Sequence, residues 1–540
     1  MRKIATASSD FKEIVENDYL YVDKTAYLYD LVSNRVDARY FIARPRRFGK
    51  SLMLSTLEQI FAGKEKLFAE FEIARKGYDF GDTYPIVHLD MTTCQAKSAD
   101  AIEKNLLVLI LRLIKQDNLN IPCQDQLSVG ALFGAFLEEL SLRRNKKIVV
   151  LVDEYDAPVT GLWNNESERR DVQSVLHDFY IQLKTKDRYI RFLMMTGVTK
   201  LAKLSVFSGL NNLIDLTMRS EYSGMLGYTR GEIETYLNEQ VGALAAEKKK
   251  PVDVIKDELL EWYDSYRFSP RSEMRVCNPV SIGKALNEGV IKNYWEETGN
   301  STIVYQALKD QGITPLLLES VTVTEQALDV TPLDRINLNT FLFQTGYLTI
   351  REVLPDGSLK LGIPNKAIRD SFDKGFMEYW VGRACPDYES KIVELRRRLN
   401  DAQVVDEVLK QHLYVAFAML PYEWMCRSEA EAKRMFLFFC HFIGANIRGE
   451  QESAIGRADA ILEFNERVYI FEFKYNGSST AALHQAEDKK YADKYMFDSR
   501  SIYLVGVNYD SSKRNIDEPA VKLVDFFDGG DDSSSDSSDD

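Results

Sequence analysis

Short runs of apolar residues alternate with amphipathic stretches along the first 230 residues. Four runs are bounded by polar residues and are apolar on both faces: YFIA (40–43), PIVHLDM (85–91), KIVVLVD (147–153) and IRFLMMTG (190–197). Buried parallel strands have this pattern, whereas antiparallel strands with one solvated face alternate apolar and polar residues. Because helical stretches separate the runs, we predict an α/β domain over residues 1–230, with a parallel sheet in a three-layer arrangement.

The pattern changes after residue 230. Residues 231–365 are helical and charged, with short strand-like pieces at FLFQTGYLTI (341–350) and LKLGIP (359–364), and form a predicted middle region. Helical patterns continue from 366 to about 445.

A second cluster of strand-like runs predicts a smaller α/β domain within residues 366–527, with its core at 428–510. The Ser/Asp-rich segment 528–540 cannot bury enough apolar surface to fold and is predicted to be disordered. The strand-like runs are GRADAILEF (456–464), RVYIFEFKY (467–475) and RSIYLVGVNY (500–509), with a predicted helix over 480–497 between the last two.

Composition narrows the classes of function. With 540 residues, 45% of them hydrophobic, the chain is long enough for two or three domains. Its net charge is −14, and six of the negative charges are aspartates of the segment 528–540, so the remainder carries −8. This balance argues against a broadly basic nucleic-acid coat but is compatible with a local basic groove.

Cysteine usage and hydropathy indicate the compartment. The six cysteines form no CxxC pair, which favours reduced thiols over a zinc or disulfide framework. No apolar run approaches the roughly 20 residues that cross a bilayer, and the N-terminus lacks the apolar stretch of a signal peptide. We therefore expect a soluble, intracellular protein without a membrane partner, in the cytoplasm or the nucleus.

A phosphate-binding loop is the first candidate site. After the predicted strand 40–43 the chain reads RPRRFGKSL, and an amphipathic helix follows. This order directs backbone N–H groups at phosphates, with the lysine on the β- and γ-phosphates and the serine on Mg²⁺. The general pattern has glycine where Arg44 stands, and the arginines of the loop suit either phosphate oxygens or local ion pairs. The predicted ATP-binding residues here are Arg44, Arg46, Arg47, Phe48, Gly49, Lys50, Ser51 and Leu52.

The ends of two later strands add to this site. In the segment KIVVLVDEYD a buried strand ends at Asp153, which is predicted to hold Mg²⁺ together with Ser51. The next residue, Glu154, is predicted to polarise the attacking water. A solvated turn is the alternative for an Asp-Glu pair at a strand end. Thr196 either senses the γ-phosphate or only completes the strand 190–197. Together these residues predict an NTPase site that binds ATP and Mg²⁺.

The second candidate site lies on the C-terminal strands. Glu472 and Lys474 point to one face of a strand, and Asp459 lies on the predicted neighbouring hairpin strand. This set suits a Mg²⁺-dependent phosphodiesterase in which Asp459 and Glu472 bind the metal and Lys474 orients or deprotonates the water or stabilises the developing charge. The alternative is an exposed ion pair on an amphipathic strand. A net charge of −2 over residues 427–527 also weighs against nucleic acid.

These motifs carry a resemblance that spans nearly the whole chain. The segments concerned are YVDKT (21–25), RPRRFGKS (44–51), VDEYDAP (152–158), TGVTKLAKLSVFSGLNN (196–212) and WYDSYRF (262–268), with Asp459, Glu472 and Lys474. With them the chain resembles the AAA-ATPase-like family that is commonly joined to a PD-(D/E)XK nuclease-like domain. The resemblance implies a P-loop NTPase, followed by a restriction-endonuclease-like α/β domain in which Gln485 supports the substrate or the metal-bound water. That family also has arginine at the position of Arg44.

Three functions are open at this point. In the first, ATP binding and hydrolysis license Mg²⁺-dependent cleavage of DNA or RNA by the C-terminal domain. In the second, a nucleotide-switched binding or signalling protein turns ATP over slowly and uses a non-catalytic nuclease-like module to recognise a partner. In the third, both halves lack catalysis. The residues named above favour the first, and a homo-oligomer is compatible with each.

Overall fold

A computed structural model describes most of the chain as two compact units. The first unit comprises Met1–Ile313 and Leu317–Phe372, and the second comprises Thr314–Leu316 and Asp373–Asp540. The segment 528–540, predicted to be disordered, lies outside the described residues, as does 201–211 of the TGVTKLAKLSVFSGLNN motif. The described residues are 1–36, 38–122, 126–160, 162, 166–200, 212–296, 304–305, 308, 318, 321–329, 337–380, 390, 397, 414, 417, 426–442, 446–452, 457–463 and 466–525.

A parallel sheet lies at the centre of the first unit. Its strands are β1 (Arg39–Ala43), β2 (Ile86–Asp90), β3 (Ile148–Asp153), β4 (Ile190–Gly197) and β5 (Ile214–Asp215). They lie in the order β2-β3-β4-β1-β5. β1, β3 and β4 are buried along their whole length, which is why their sequences are apolar at almost every position. The four predicted strands are confirmed, although β2 alternates buried and partly exposed positions and is therefore not buried on both faces as predicted. The additional β5 is too short to give a periodic signal.

Helices accompany the strands of this sheet, and those between residues 99 and 185 share one apolar core with it. They are α1 (Phe11–Glu16), α2 (Thr25–Ser33), α3 (Lys50–Phe61), α4 (Glu72–Arg75), α5 (Ala99–Gln116), α6 (Val129–Arg144), α7 (Ala157–Thr160), α8 (Glu166–Tyr180) and α9 (Gln182–Thr185). Leu106 of α5 and Phe133 of α6 share this core with Val150 of β3. The amphipathic stretches between the predicted strands are therefore the helices that cover the sheet.

Serine residues cap the two longest of these helices. Ser98 and Ser128 accept hydrogen bonds from the N–H groups of Ala101 and Ala131, at the starts of α5 and α6. Each bond satisfies a backbone donor that has no partner within its helix. Within the described residues, no helix has the length and apolar composition needed to cross a membrane.

The middle region is helical, as predicted, and has its own apolar core. Its elements are α10 (Arg230–Tyr236), α11 (Asn238–Lys248), α12 (Val252–Tyr263), α13 (Pro279–Glu288), β6 (Val321–Val323), α14 (Glu325–Asp329), α15 (Leu338–Gln344), β7 (Thr349–Val353) and β8 (Leu359–Gly362). Leu237, Val241, Leu259 and Ile282 are buried together in the core. The three strands form a small antiparallel sheet in the order β6-β8-β7.

The strand-like piece predicted at 341–350 is partly wrong. Its first residues belong to α15, which Asn337 caps by accepting hydrogen bonds from the N–H groups of Asn339 and Thr340. Gly346 follows the helix with a left-handed φ of 88°, and β7 begins only at Thr349. The sequence misleads here because a short buried helix and a buried strand are both apolar on all sides.

A mixed sheet forms the centre of the second unit. The elements from residue 366 onward are α16 (Lys366–Trp380), α17 (Glu429–Phe442), β9 (Asn446–Glu452), β10 (Arg457–Glu463), β11 (Arg467–Tyr475), α18 (Ser479–Asp488), β12 (Ser501–Asp510), β13 (Asn515–Ile516) and β14 (Ala520–Leu523). The strands lie in the order β13-β12-β11-β10-β9, with β14 also paired to β12. β10 and β11 form the predicted antiparallel hairpin, and β11 runs parallel to β12. β9, β13 and β14 are additions to the predicted strands.

The helix between β11 and β12 is shorter than the predicted span 480–497. Ser478 caps α18 by accepting a hydrogen bond from the N–H of Ala481, and the helix ends at Asp488. Lys490 then has a left-handed φ of 49°, a conformation that interrupts a helix. α18 is the crossover that two parallel strands require.

α18 lies very close to β12 at Gly506. A Cβ at this position would overlap the backbone of Ser479 and Leu483. Gly506 is also the register partner of Glu472 on β11. The missing side chain therefore lets α18 approach the part of the sheet that carries Glu472.

We expect Gly506→Ala to destabilise the second unit by about 2–3 kcal/mol, because the helix must move away from the strand. Calorimetric unfolding of the full chain should show a transition at a lower Tm. Gly477→Ala is the matched control, since its Cβ would lie 3.4 Å from the nearest atom, the Cβ of Lys474. Equal Tm values for the two variants would contradict this account of the close approach.

Candidate functional site

The first site lies at the carboxyl ends of three neighbouring parallel strands. β1 leads into the loop 44–49, β3 ends at Asp153, and β4 carries Thr196 near its end. Because β3, β4 and β1 are adjacent, these ends meet at one edge of the sheet, where α/β proteins bind ligands. α3 begins at Lys50, directly after the loop, so its N-terminal N–H groups favour an anion at this edge.

Two residues of the loop have left-handed backbone conformations. The φ angles are 64° at Arg47 and 95° at Gly49. Glycine adopts this conformation without cost, whereas an arginine does so at a cost of about 1–2 kcal/mol. Such strain often accompanies functional loops. The side chain of Arg46 is exposed and that of Arg47 is partly exposed.

A chain of polar contacts joins the predicted magnesium ligands. Ser51 Oγ donates a hydrogen bond to Asp153 Oδ2 at 2.5 Å, and Thr196 Oγ1 donates to Asp153 Oδ1 at 2.6 Å. Thr196 Oγ1 also accepts from the N–H of Glu154 at 3.4 Å. The structure thus brings Ser51, Asp153 and Thr196 together, although they come from three separate segments.

Lys50 and Glu154 form the second group of contacts in this site. Lys50 Nζ lies 3.2 Å from Glu154 Oε1 and donates to the carbonyl oxygens of Arg44 and Pro45 at 3.0 and 3.1 Å. Glu154 has a left-handed φ of 51°, directly after the end of β3. The ammonium of Lys50 therefore connects the loop to the carboxylate that follows β3.

The surroundings of Glu154 change its acidity. Burial raises the pKa of Glu154, the ammonium of Lys50 opposes this shift, and the carboxylates of Asp156 and Asp153 add to it. A carboxylate with a raised pKa is suited to accept a proton near neutral pH. Glu154 thus combines a raised pKa with a position directly after β3, at the same sheet edge as Ser51 and Asp153.

The side chain of Arg44 differs from its predicted role as a ligand contact, whereas that of Phe48 packs against neighbouring rings and also lines a cavity beside the loop. Arg44 is buried and donates to the carbonyl oxygen of Thr217, and its guanidinium lies 4.3 Å from the ring centroid of Phe268. The ring of Phe48 packs edge-on against Tyr266 and Phe268. Both side chains hold the loop in place, because the packing of distant segments directs them inward.

An apolar cavity lies beside the start of α3. Gly49, Leu52 and Met53 line one side of it, and Leu20 and Tyr228 are among the residues that complete the lining. Leu52, predicted as a binding residue from its place after the loop, therefore faces this cavity. Most of the residues that line the cavity are apolar, and Lys24 is among the exceptions.

The second site lies where β10 and β11 end their pairing. The ladder includes Ala460 and Phe471, so Asp459 and Glu472 are next to each other across the two strands. Asp459 Oδ2 accepts a hydrogen bond from the N–H of Phe473 at 2.9 Å. The predicted hairpin therefore brings the two carboxylates together.

Glu472 is the carboxylate of this second site whose pKa is raised. It is 3% exposed, Gln485 Nε2 donates to its Oε1, and its Oε2 has no hydrogen-bond partner among the described residues. Burial raises the pKa of Glu472 to about 7, with a further contribution from Asp459, while Lys474 and Lys433 oppose the shift. A buried carboxylate oxygen without a partner is costly unless a cation or proton satisfies it.

Comparisons with known proteins find two different families, one in the N-terminal part of the chain and one in the C-terminal part. A family model described as "Predicted AAA-ATPase" matches residues 5–207, and one described as "PD-(D/E)XK nuclease superfamily" matches residues 427–519. The chain is 31% identical over 528 residues to a protein of Azotobacter chroococcum mcd 1 described as "Uncharacterized protein in vnfD 5'region". That alignment covers 95% of this chain and 98% of the relative. The chain belongs to the AAA-ATPase-like family.

The oxygen ligands in both sites of this AAA-ATPase-like protein fit Mg²⁺. The first site offers the hydroxyl of Ser51 and the carboxylate of Asp153, and the second offers Asp459 and Glu472 with its unpartnered oxygen. Mg²⁺ commonly takes one or two carboxylates and keeps several waters. In the part of the chain that the structure describes, no cluster of three or more His, Cys, Asp or Glu side chains could hold a metal ion. Both sites would therefore rely on water or substrate oxygens as further ligands.

Sequence reasoning missed Lys433 in the nuclease-like domain of this AAA-ATPase-like protein. Lys433 lies on α17, and its ammonium forms an ion pair with Asp459 Oδ1. Glu429, one turn earlier on α17, contributes to the raised pKa of Glu472. The four-residue spacing of Glu429 and Lys433 indicates one helix face, but nothing in the local sequence connects that face to Asp459.

Proposed function

We propose that the protein binds and hydrolyses ATP and that its C-terminal domain is a Mg²⁺-dependent nuclease under the control of the ATP site. The observation that carries this proposal is the presence in one chain of two carboxylate clusters, each with a lysine. One cluster contains Asp153 and Glu154 with Lys50. The other contains Asp459 and Glu472 with Lys474. The substrate class is DNA or RNA, and a homo-oligomer is compatible with this function.

In the ATP site, residues of this chain would share the work along the nucleotide. The N–H groups at the start of α3 and the ammonium of Lys50 would bind the phosphates, and the apolar cavity beside α3 would take the base. Ser51 and Asp153 would hold Mg²⁺, which neutralises phosphate charge when bound. Glu154 would accept a proton from the attacking water, and Thr196 would keep Asp153 in position.

In the nuclease-like site, Asp459 and Glu472 would hold Mg²⁺, which supplies Lewis acidity at the phosphate when bound. Gln485 would orient the Glu472 carboxylate through its hydrogen bond to Oε1. Lys474, partly exposed two residues after Glu472, would orient the water or stabilise negative charge on the phosphate. These roles require the raised pKa of Glu472 to fall when the metal binds, because a nearby cation favours the charged form.

A second candidate function is a nucleotide-switched binding protein with slow ATP turnover. The observation that favours it is the contact of Lys50 with the loop carbonyls of Arg44 and Pro45, which must open before the ammonium reaches a phosphate. The net charge of −2 over residues 427–527 also favours recognition of a partner other than nucleic acid.

A paired assay of phosphate release and nucleic-acid cleavage tests the proposal. Glu154→Gln should retain ATP binding and lower the rate of phosphate release by about 10²–10⁴-fold, because the proton acceptor is lost. Lys474→Met should retain phosphate release and lose cleavage of DNA and RNA. If wild-type phosphate release equals that of Glu154→Gln, the switch function is favoured; if wild type cleaves neither substrate with Mg²⁺ and ATP, the nuclease proposal fails.

A further inference from the structure

Lys433 places a cation of the protein on a predicted metal ligand. Its ammonium pairs with Asp459 Oδ1, while Asp459 Oδ2 accepts from the N–H of Phe473. The side chains of Lys433 and Asp459 are only 16% and 11% exposed. The ion pair is therefore shielded from solvent more than a surface pair.

The helix that carries Lys433 is anchored on the sheet. Phe436 of α17 packs against Phe471 and Phe473, with ring centroids 4.5 and 4.8 Å apart, and Ala432 is fully buried. These contacts fix the backbone on both sides of Lys433. Its ammonium therefore reaches Asp459 from a packed element.

The charges around the two carboxylates show what this cation does. Lys433 and Lys474 both oppose the raised pKa of Glu472, and Lys433 also pairs with Asp459. Two positive groups therefore lie near the two carboxylates. A divalent cation bound to the same carboxylates would meet Lys433 as a like charge at short range. Lys433 must then release Asp459 before the carboxylate can serve as a full metal ligand.

We propose that Lys433 is a positioning residue of the metal site, a tethered cation that holds Asp459 and that a divalent metal must displace. This proposal rests on the proposed metal site of Asp459 and Glu472. It gives Lys433 a role separate from that of Lys474: Lys433 sets the affinity for metal. Removing its charge should tighten metal binding, whereas removing a ligand should weaken it.

Mn²⁺ binding to the full chain without nucleotide tests this role, with free Mn²⁺ measured by electron paramagnetic resonance. Lys433→Met should bind Mn²⁺ about tenfold more tightly than wild type, because a shielded competing charge is lost. Lys433→Arg keeps the charge and should remain close to wild type. Lys489→Met removes an exposed lysine after α18 and is the matched control. Asp459→Asn shows how much of the Mn²⁺ binding belongs to the site of Asp459 and Glu472.

The results of this experiment separate the inference from the proposed function. Equal or weaker Mn²⁺ binding by folded Lys433→Met, with binding that depends on Asp459, would overturn the role of Lys433 and leave the metal site intact. Binding that is unchanged in Asp459→Asn would overturn both. Circular dichroism establishes folding for each variant. If Lys433→Met does not fold, Lys433→Gln replaces it, and the same comparison with Lys433→Arg decides.

Discussion

Lys50→Met is expected to weaken ATP binding by up to about a hundredfold. The side chain of Lys50, at the start of α3, is only 3% exposed. Its ammonium lies beside the carboxylate of Glu154. A charge-assisted hydrogen bond to a phosphate in such a site contributes up to about 3 kcal/mol, which corresponds to roughly a hundredfold in affinity. The substitution also leaves the partly buried carboxylate of Glu154 without this cation, so the pKa of Glu154 should rise further.

Thermal unfolding with and without Mg·ATP measures this effect. A ligand at a hundred times its Kd stabilises the native state by about 2.7 kcal/mol, so ATP should raise the Tm of wild type. It should leave the Tm of Lys50→Met nearly unchanged at the same concentration. Lys64→Met, at an exposed position after α3, is the matched control. An equal ATP-induced shift for wild type and Lys50→Met would show that the loop does not bind phosphate through this residue.

Glu472→Gln should reduce cleavage by about a thousandfold or more, because a metal ligand is lost and metal coordination contributes several kcal/mol to such reactions. The same substitution should stabilise the metal-free protein. It removes a buried negative charge whose Oε2 has no hydrogen-bond partner among the described residues. Loss of activity together with a gain in stability would distinguish a functional carboxylate from a structural one.

The stability gain should depend on pH in a definite direction. The pKa of Glu472 rises from 4.5 to about 7 on folding, so the folded state keeps a proton that the unfolded state releases between these values. Wild-type stability therefore falls from about pH 4.5 to pH 7, by about 2 kcal/mol after allowance for solvent screening. Glu472→Gln lacks this loss. Its free energy of unfolding should therefore exceed that of wild type only slightly at pH 4.5, and the difference should reach a plateau above pH 7.

Urea unfolding in EDTA at several pH values measures this difference. Glu466→Gln, an exposed acid just before β11, is the matched control and should give a constant difference from wild type. A difference between wild type and Glu472→Gln that does not change between about pH 4.5 and pH 8 would contradict the raised pKa. Unchanged cleavage by Glu472→Gln would remove this residue from the proposed active site.

The sequence alone is sufficient to predict the strands that carry the first site. β1, β3 and β4 are buried on both faces, so every position along them favours an apolar residue and the runs are easily recognised. The same rule fails at α15, where a short buried helix has an equally apolar sequence. Short or polar strands such as β5 and β9 lack a long apolar run, and pairing with neighbours defines them.

Local sequence determined which residues follow which strand in the first site. It therefore placed Lys50, Ser51, Asp153 and Glu154 in one predicted site. In the structure Ser51 contacts Asp153, and Lys50 contacts Glu154. This was possible because parallel strands bring their carboxyl ends together whatever the details of packing.

Only the tertiary structure decided where the long side chains point. Arg44 turns inward to Phe268, and Lys433 reaches Asp459 from a helix that precedes the hairpin. Contacts between segments far apart in the chain select these directions, because a long side chain has many rotamers and only its packed surroundings choose among them.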